Sequence, residues 1–325
     1  MTAQPDGRTS ILSALREKRG QVLSGEALSS RLGVSRAQVW KHIGALRKRG
    51  YEIEGEPGGG YRLLGSPNRL YGEEIQHGLG NRWLAQRIEH YEETDSTNRV
   101  AFDLGREGAP AGTTVIAEAQ HAGRGRLGRN FYSPPHLNLY TSILLRPTSS
   151  IADTPTLILG AAVAVAETVA ETLGDEDAVE IKWPNDVLIR RRKTSGILME
   201  SSAEGAQSFP DEFRSLATSL ASELGKPVDR IEFTRRLFEN LEARLDEHAR
   251  GGFEHLRPRF ESFFRMRGEP LGVEAIGGER IDGFALGVAR GGALEIEIRE
   301  GPRAGEVVRV LAGDVTLAKR GPETR

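Results

Sequence analysis

Three glycines and three arginines alternate over Gly123-Arg124-Gly125-Arg126-Leu127-Gly128-Arg129, directly after Gln120-His121-Ala122. The residues before them, 113–119, are rich in β-branched types and predict a strand, so the glycines fall in a loop leaving a sheet. Glycine lets a backbone approach a ligand closely. Successive N–H groups in such a loop form an anion-binding hollow. Arginine adds a planar fork that grips phosphate or carboxylate at two points. The motif therefore describes a loop around an anionic group. Alone, it also fits a solvated flexible loop or an RNA-binding tail.

Two further stretches carry chemistry. One is Lys182-Trp183-Pro184-Asn185-Asp186, followed by Arg190-Arg191-Arg192-Lys193 and then Thr194-Ser195-Gly196-Ile197-Leu198-Met199-Glu200. It reads as strand, basic hairpin, strand, with Pro184 at a bulge that aims Asn185 and Asp186 into a cleft. Trp183 is expected in the core, and three of the four clustered cations are expected in water. The other stretch is Thr94-Asp95-Ser96-Thr97-Asn98. Its Ser96-Thr97-Asn98 predicts the N-cap of a helix running to about residue 105.

The surrounding elements divide the chain into three domains: 1–65, 66–269 and 270–325. Residues 1–8 are polar and are expected to be disordered. Ile11, Leu12 and Leu15 mark one helix face, and Ala27, Leu28 and Leu32 a second. Gly33-Val34 is a tight turn. Ser35 and Gln38 fit a capping box that starts a third helix, with Val39, Ile43 and Leu46 facing the core. Two short strands around Pro57-Gly58-Gly59-Gly60 complete a winged helix-turn-helix. Arg36 and Lys41, at the start of the third helix, are expected near bases or phosphates, and Arg62 on the wing near phosphate. Residues 8–64 hold 11 Lys/Arg against 5 Asp/Glu, net +6, in a chain whose total charge is −2. A basic head on an acidic body favours DNA over a plain protein-interaction module.

Farther on, 71–79, 155–173, 212–225, 230–250 and 253–264 predict helices, with Leu237, Leu241 and Leu245 on one face. Short strands with glycine turns fill the chain from 271 onward and predict a small barrel. The fold class is α+β. The chain has 325 residues and no cysteine, which excludes disulfides and thiolate metal sites. The apolar run 158–169 is too short to span a bilayer, and no secretory leader opens the chain. A cytoplasmic protein without a membrane partner is the expectation.

The arginine-glycine loop, Lys-Trp-Pro-Asn-Asp, and Lys193 followed by Gly-Ile-Leu-Met-Glu resemble the biotin protein ligase family in order and spacing. With the N-terminal segment, the likeness extends to the bifunctional ligase–repressors. It implies a mixed-sheet ligase domain and a C-terminal Src-homology-3-like barrel. It also implies a two-step reaction. Biotin attacks the α-phosphate of ATP, with Mg2+, to give biotinyl-5'-AMP. The lysine of a biotin carboxyl carrier protein, that of acetyl-CoA carboxylase, then takes the acyl group. The N-terminal domain would be a biotin-responsive repressor on operator DNA, dimeric when adenylate is bound.

By the same resemblance, Ser96, Thr97, Asn98, Gln120, Arg124, Arg126 and Lys193 would bind biotin. Gly123, Arg124, Gly125, Arg126, Gly128, Arg129, Phe131 and Asn185 would border the nucleotide, with Phe131 standing where the family usually has tryptophan. Arg126, Lys193 and Asp186 would be catalytic, Lys193 on the carboxylate and α-phosphate and Asp186 orienting the incoming amine. Magnesium would sit near Asn185 and Asp186. The family's next strand, of Gly-Ile-Gly-Ile-Asn-Val type, is absent after Glu200. That leaves a second reading, a biotin-sensing DNA-binding regulator with impaired or lost ligase activity. A lipoate-type acyltransferase is a third, disfavoured by Lys-Trp-Pro-Asn-Asp.

Overall fold

The computed structural model describes residues 7–18, 20–56, 59–123, 131–147, 153–200, 218–275 and 279–317. Two compact units divide at the linker, Met1–Arg69 and Leu70–Arg325.

The first unit has three helices, α1 (Gly7–Glu17), α2 (Gly25–Leu32) and α3 (Arg36–Lys48), then an antiparallel hairpin of β1 (Glu52–Glu56) and β2 (Gly60–Gly65). Gly7 and Arg8 are already helical, so order begins earlier than polarity predicts. Ile11, Leu12 and Leu15 pack with Leu28 and with Val39, Ile43 and Leu46, all 0–1% exposed. Ala27 and Leu32 are not part of this core. The Ser35–Gln38 capping box forms in full, satisfying N–H groups that would otherwise be orphaned at the start of α3. Gly33 closes α2 in the left-handed region, at φ 64°.

The second unit is built on two small sheets. One is mixed: β3 (Ile88–Thr94) runs parallel to β4 (Thr114–Gln120), which pairs antiparallel with β5 (Tyr140–Ile143). The other is an antiparallel meander of β6 (Val179–Lys182), β7 (Asp186–Ile189) and β8 (Arg192–Gly196). Pro184 therefore sits not in a bulged strand but in the turn between β6 and β7, where its missing N–H breaks no ladder. Lys193 lies inside β8 rather than before it.

The helices flank these sheets. α4 (Gly72–Gln76) is shorter than its sequence predicts, and α5 (Thr97–Arg106) follows β3. α6 (Leu157–Leu173), extended by a 3-10 turn at Thr154–Thr156, is the core helix. Thr154–Leu173 spans 20 residues and is apolar enough to cross a bilayer, longer than the 158–169 run suggests. Burial against the second unit's own core accounts for that apolarity. α7 (Leu220–Leu224) is the described remnant of the helix expected at 212–225. α8 (Arg230–Phe263) takes in both later helices, broken at Gly251 and Gly252. Leu237, Leu241 and Leu245 are buried as their spacing requires.

The chain ends in a five-stranded antiparallel sheet: β9 (Pro270–Ala275), β10 (Arg280–Val288), β11 (Leu294–Ile298), β12 (Val307–Val310) and β13 (Gly313–Leu317). Its order is β12-β11-β10-β9-β13. This sheet shares the core of α6 and α8. Trp183, 2% exposed, ties the two together through Nε1, which donates to the carbonyl of Gly292 at 3.0 Å.

Candidate active site

The end of β4 and the start of α5 are strapped together by main chain. His121 N–H donates to Thr94 O and Ala122 N–H to Asp95 O, each at 2.9 Å. This carries the first residues of the arginine-glycine stretch across the N-terminus of α5. Asp95 lies beside it: its Oδ1 accepts from Ser96 N–H at 2.6 Å, and it pairs with Arg99 one turn on. Ser96 is the N-cap residue by position but makes no side-chain cap, contrary to expectation. The buried Ser96 instead lines a cleft of about 160 Å³ with Asp95, Arg99, Phe102, Ala122 and Glu200.

A polar relay runs beside this cleft. Gln120 Oε1 accepts from Thr97 N–H at 2.9 Å and from Thr97 Oγ1 at 3.1 Å. Ser142, buried on β5, reaches Thr97 Oγ1 at 2.8 Å and also bonds Asn98 Oδ1. Asn98 Nδ2 donates to Glu200 at 2.8 Å. Gln120 Nε2 donates to Ser133 Oγ at 3.2 Å, and Ser133 to the carbonyl of Phe131 at 3.0 Å. The result is a set of oriented hydroxyls and amides, which suits a ligand carrying both donors and acceptors.

The flanks of the arginine-glycine loop meet at its neck, where Phe131 N–H donates to Gly123 O at 2.8 Å. A Cβ at residue 123 would stand 2.8 Å from both Phe131 O and Ser133 Oγ, so only glycine permits this approach. Phe131 is 43% exposed and meets Tyr140 edge-on. Arg124, Gly125, Arg126, Gly128 and Arg129 lie outside the described residues.

The second half of the site is the β6–β7–β8 meander. Lys193 Nζ donates to Asp186 Oδ1 at 2.6 Å, with side chains 35% and 17% exposed. Lys193 lies over Gly196, where a Cβ would stand 2.9 Å from its Nζ. Asn185 Nδ2 donates to Ile197 O at 2.6 Å, and Ile197 N–H returns to Asn185 O at 3.0 Å, fixing the exit from β8. Three residues then lead to Glu200, which holds Asn98. From Gly196 to Glu200 an extended chain spans at most about 14 Å, so the Lys193 cluster and the Thr97 relay belong to one region.

The neighbouring cations are not simply solvated. Arg190 and Arg192 both pair with Glu223, and Arg191 forks onto Glu269 at 2.8 and 3.0 Å. These partners leave Lys193 as the member of the basic run directed at Asp186. No strand is present from 197 to 200 or at 218–219. Residues 201–217, whose sequence lacks the family's Gly-Ile-Gly-Ile-Asn-Val pattern, lie outside the described residues. Part of the edge of β8 is nevertheless met, because Thr218 N–H donates to Lys193 O at 2.8 Å.

The described residues contain no cluster of three metal-ligating side chains. Asp186 Oδ1 is engaged by Lys193, and the Asn185 amide nitrogen by Ile197. Behind the relay, Glu118 is fully buried. It accepts from Leu70 N–H and from Arg230, each at 2.8 Å, with His136 3.2 Å away. Burial pushes its carboxyl up, but the nearby His90 imidazole, hydrogen bonds from Arg230 and Leu70 and the Arg230 charge outweigh it, holding the group well below the usual carboxylate range.

Ser142, Ser133, Glu200, Glu118 and Arg230 escape sequence reading. Ser142 stands next to Thr141 and alternates with buried Tyr140 on the inward face of its strand, which is the available signal for it. Glu118 stood likewise as a carboxylate inside a β-branched run.

In the first unit, Arg36 and Lys41 are exposed on α3. Arg62 instead crosses the wing to Glu54, donating through Nε at 2.9 Å, so its charge is balanced within the hairpin.

Residues 8–62 match the helix-turn-helix (HTH) domain model, and residues 91–209 match the Biotin/lipoate A/B protein ligase family. The bifunctional ligase/repressor BirA of Bacillus subtilis is 34% identical, over 95% of this chain and 98% of that protein. Its namesake in Escherichia coli K12 is 32% identical, over 92% and 94%. The solved biotin protein ligase from Aquifex aeolicus, in complex with biotin and ATP, superposes with a TM-score of 0.59 at 28% identity, over 72% of this chain and all of that one. With these relatives matched over nearly its whole length, and a helix-turn-helix model over its head, the chain belongs to the biotin protein ligase family, among its bifunctional ligase/repressors.

Proposed function

We propose that this chain joins biotin to AMP at the expense of ATP, passes it to a lysine of a biotin carboxyl carrier protein, and represses transcription through its N-terminal unit. The observation that carries the ligase reading is the Thr97–Gln120 relay and the Lys193–Asp186 pair brought together through Glu200 and Asn98. Ser96, Thr97 and Gln120 bind the ureido ring, and Asn98, tied to Ser142 and to Glu200, holds the relay and Glu200 in register. Lys193 faces the carboxylate and α-phosphate, where negative charge builds as the anhydride forms. Asp186 positions that ammonium and then the attacking amine. Arg124, Arg126 and Arg129, with the N–H groups of Gly123, Gly125 and Gly128, take the phosphates. Phe131 and Asn185 border the nucleotide, and magnesium arrives with the ATP phosphates.

The domains are 1–65, 66–269 and 270–325, the last a small barrel supported by its five-strand order. The protein is cytoplasmic, does not engage a membrane, and dimerises when adenylate is bound, so that two heads reach two half-sites. Arg36 and Lys41 contact operator DNA, with Arg62 on the wing after exchange from Glu54.

Incubation with biotin, ATP and a carrier domain, followed by an avidin blot, tests the ligase reading. A biotinylated carrier supports it. Biotin binding without label transfer would favour a sensor that no longer ligates. Within the site, Thr97→Val removes the hydroxyl while keeping the shape and leaves Ser142 and Gln120 short of a partner. Its expected result is a biotin KM raised about 10- to 100-fold, with KM for ATP little changed in the same steady-state assay.

A further inference from the structure

Large aromatic side chains are mostly buried in folded proteins, yet Trp40 in α3 is 69% exposed. The buried residues Val39, Ile43 and Leu46 define the inner face of this helix. Helical geometry puts Arg36, Trp40 and Arg47 along one flank, and Ala37, Lys41, Gly44 and Lys48 on the outward face. Arg47 Nε donates to Ile53 O at 2.9 Å, so the Trp40 flank is the one that borders the wing. At Gly44 even an added Cβ would meet nothing within 4 Å. An indole thus stands in water among cations, beside an outward face on which Ala37 and Gly44 leave room between two lysines.

We propose that Trp40 is a sequence-reading residue that packs on the 5-methyl group of a thymine in the major groove. This rests on the DNA-binding reading of the first unit. Cations that sit on phosphates position the head without preferring a sequence, and cations on base edges read guanine rather than thymine. A thymine methyl is the apolar feature a base pair presents in that groove, and apolar side chains are its partners. Water released from the indole then adds affinity that does not depend on salt, whereas each phosphate contact carries a salt slope.

The test uses the intact protein with biotin and ATP and a random duplex library, from which bound sequences are selected. Wild type is expected to enrich a motif with a fixed thymine. On that enriched duplex, Trp40→Ala should bind about tenfold more weakly with the salt slope unchanged, while Lys41→Ala should lower the slope by about one. Trp40→Phe should keep most of the affinity. Replacing the fixed thymine by uracil, which lacks the methyl, should weaken wild type and leave Trp40→Ala indifferent. Because the head is a unit of its own, a wild-type far-ultraviolet circular dichroism spectrum and an unchanged unfolding transition of the first unit report that Trp40→Ala is folded. If wild type enriches nothing, the DNA-binding reading itself fails. If wild type binds and Trp40→Ala binds equally well, or weakens with no sensitivity to uracil, the thymine assignment is overturned.

Discussion

Replacing Lys193 by alanine is expected to slow biotinyl-adenylate formation by about 10²–10³-fold, the usual loss when one preorganised charge-stabilising donor is removed. The ammonium is half-buried and held at 2.6 Å from Asp186, so it need not reorganise when charge develops opposite it. Water filling the space would have to reorient at each turnover. Lys193→Arg is not expected to rescue. The guanidinium is larger and planar, and Gly196 and Asp186 already crowd the Nζ position. Asp186→Asn should show a smaller loss, because the ammonium stays but is no longer aimed. Single-turnover pyrophosphate release separates these variants, and thermal unfolding should barely move, since both side chains reach solvent. An adenylation rate within threefold of wild type for Lys193→Ala would remove this lysine from the chemistry.

Glu118→Gln is expected to destabilise the second unit by about 3–5 kcal/mol, as breaking a buried ion pair from one side does. Arg230, its side chain 10% exposed, would keep its charge and lose its counter-ion. Glu118 also terminates Leu70 N–H, at the entry to this unit, and lies two residues from Gln120 on β4. The loss should therefore appear both in urea unfolding and in a higher KM for biotin. Adding Arg230→Met should recover part of the loss, since a pair removed together leaves no orphan charge.

The pH dependence follows from the lowered carboxyl. Its stabilisation is fully present above the ordinary carboxylate value of 4.5 and is lost as pH falls below that toward the depressed value of the folded state. The stability gap between wild type and Glu118→Gln should be constant from neutral pH down to about 5 and narrow below it. A gap that instead widened on acidification would show that Glu118 is not held ionised.

Much of this architecture is local and therefore readable along the chain. The Ser35–Gln38 box, the turn at Gly33 and the spacing of Val39, Ile43 and Leu46 specify α3 through contacts three and four residues apart, and the structure reproduces them. The same holds for the heptad-like run of Leu237, Leu241 and Leu245. The arginine-glycine stretch and Lys-Trp-Pro-Asn-Asp stand out by residue type and spacing, while Lys193 is singled out from its basic run only by the family resemblance.

What the chain order could not disclose depends on partners far away in sequence. Pro184 looked like a strand residue until β6 and β7 were seen to fold back on each other across it. Arg190, Arg191 and Arg192 looked solvated because Glu223 and Glu269, 31 to 78 residues on, supply their counter-charges. Ser96 looked like a cap, but its side chain makes no cap bond and the residue instead lines the cleft beside α5. Sequence alone determined which residue types were available for gripping an acyl phosphate. Only the tertiary fold decided which of them keep a free donor, because that depends on which neighbours consume the others.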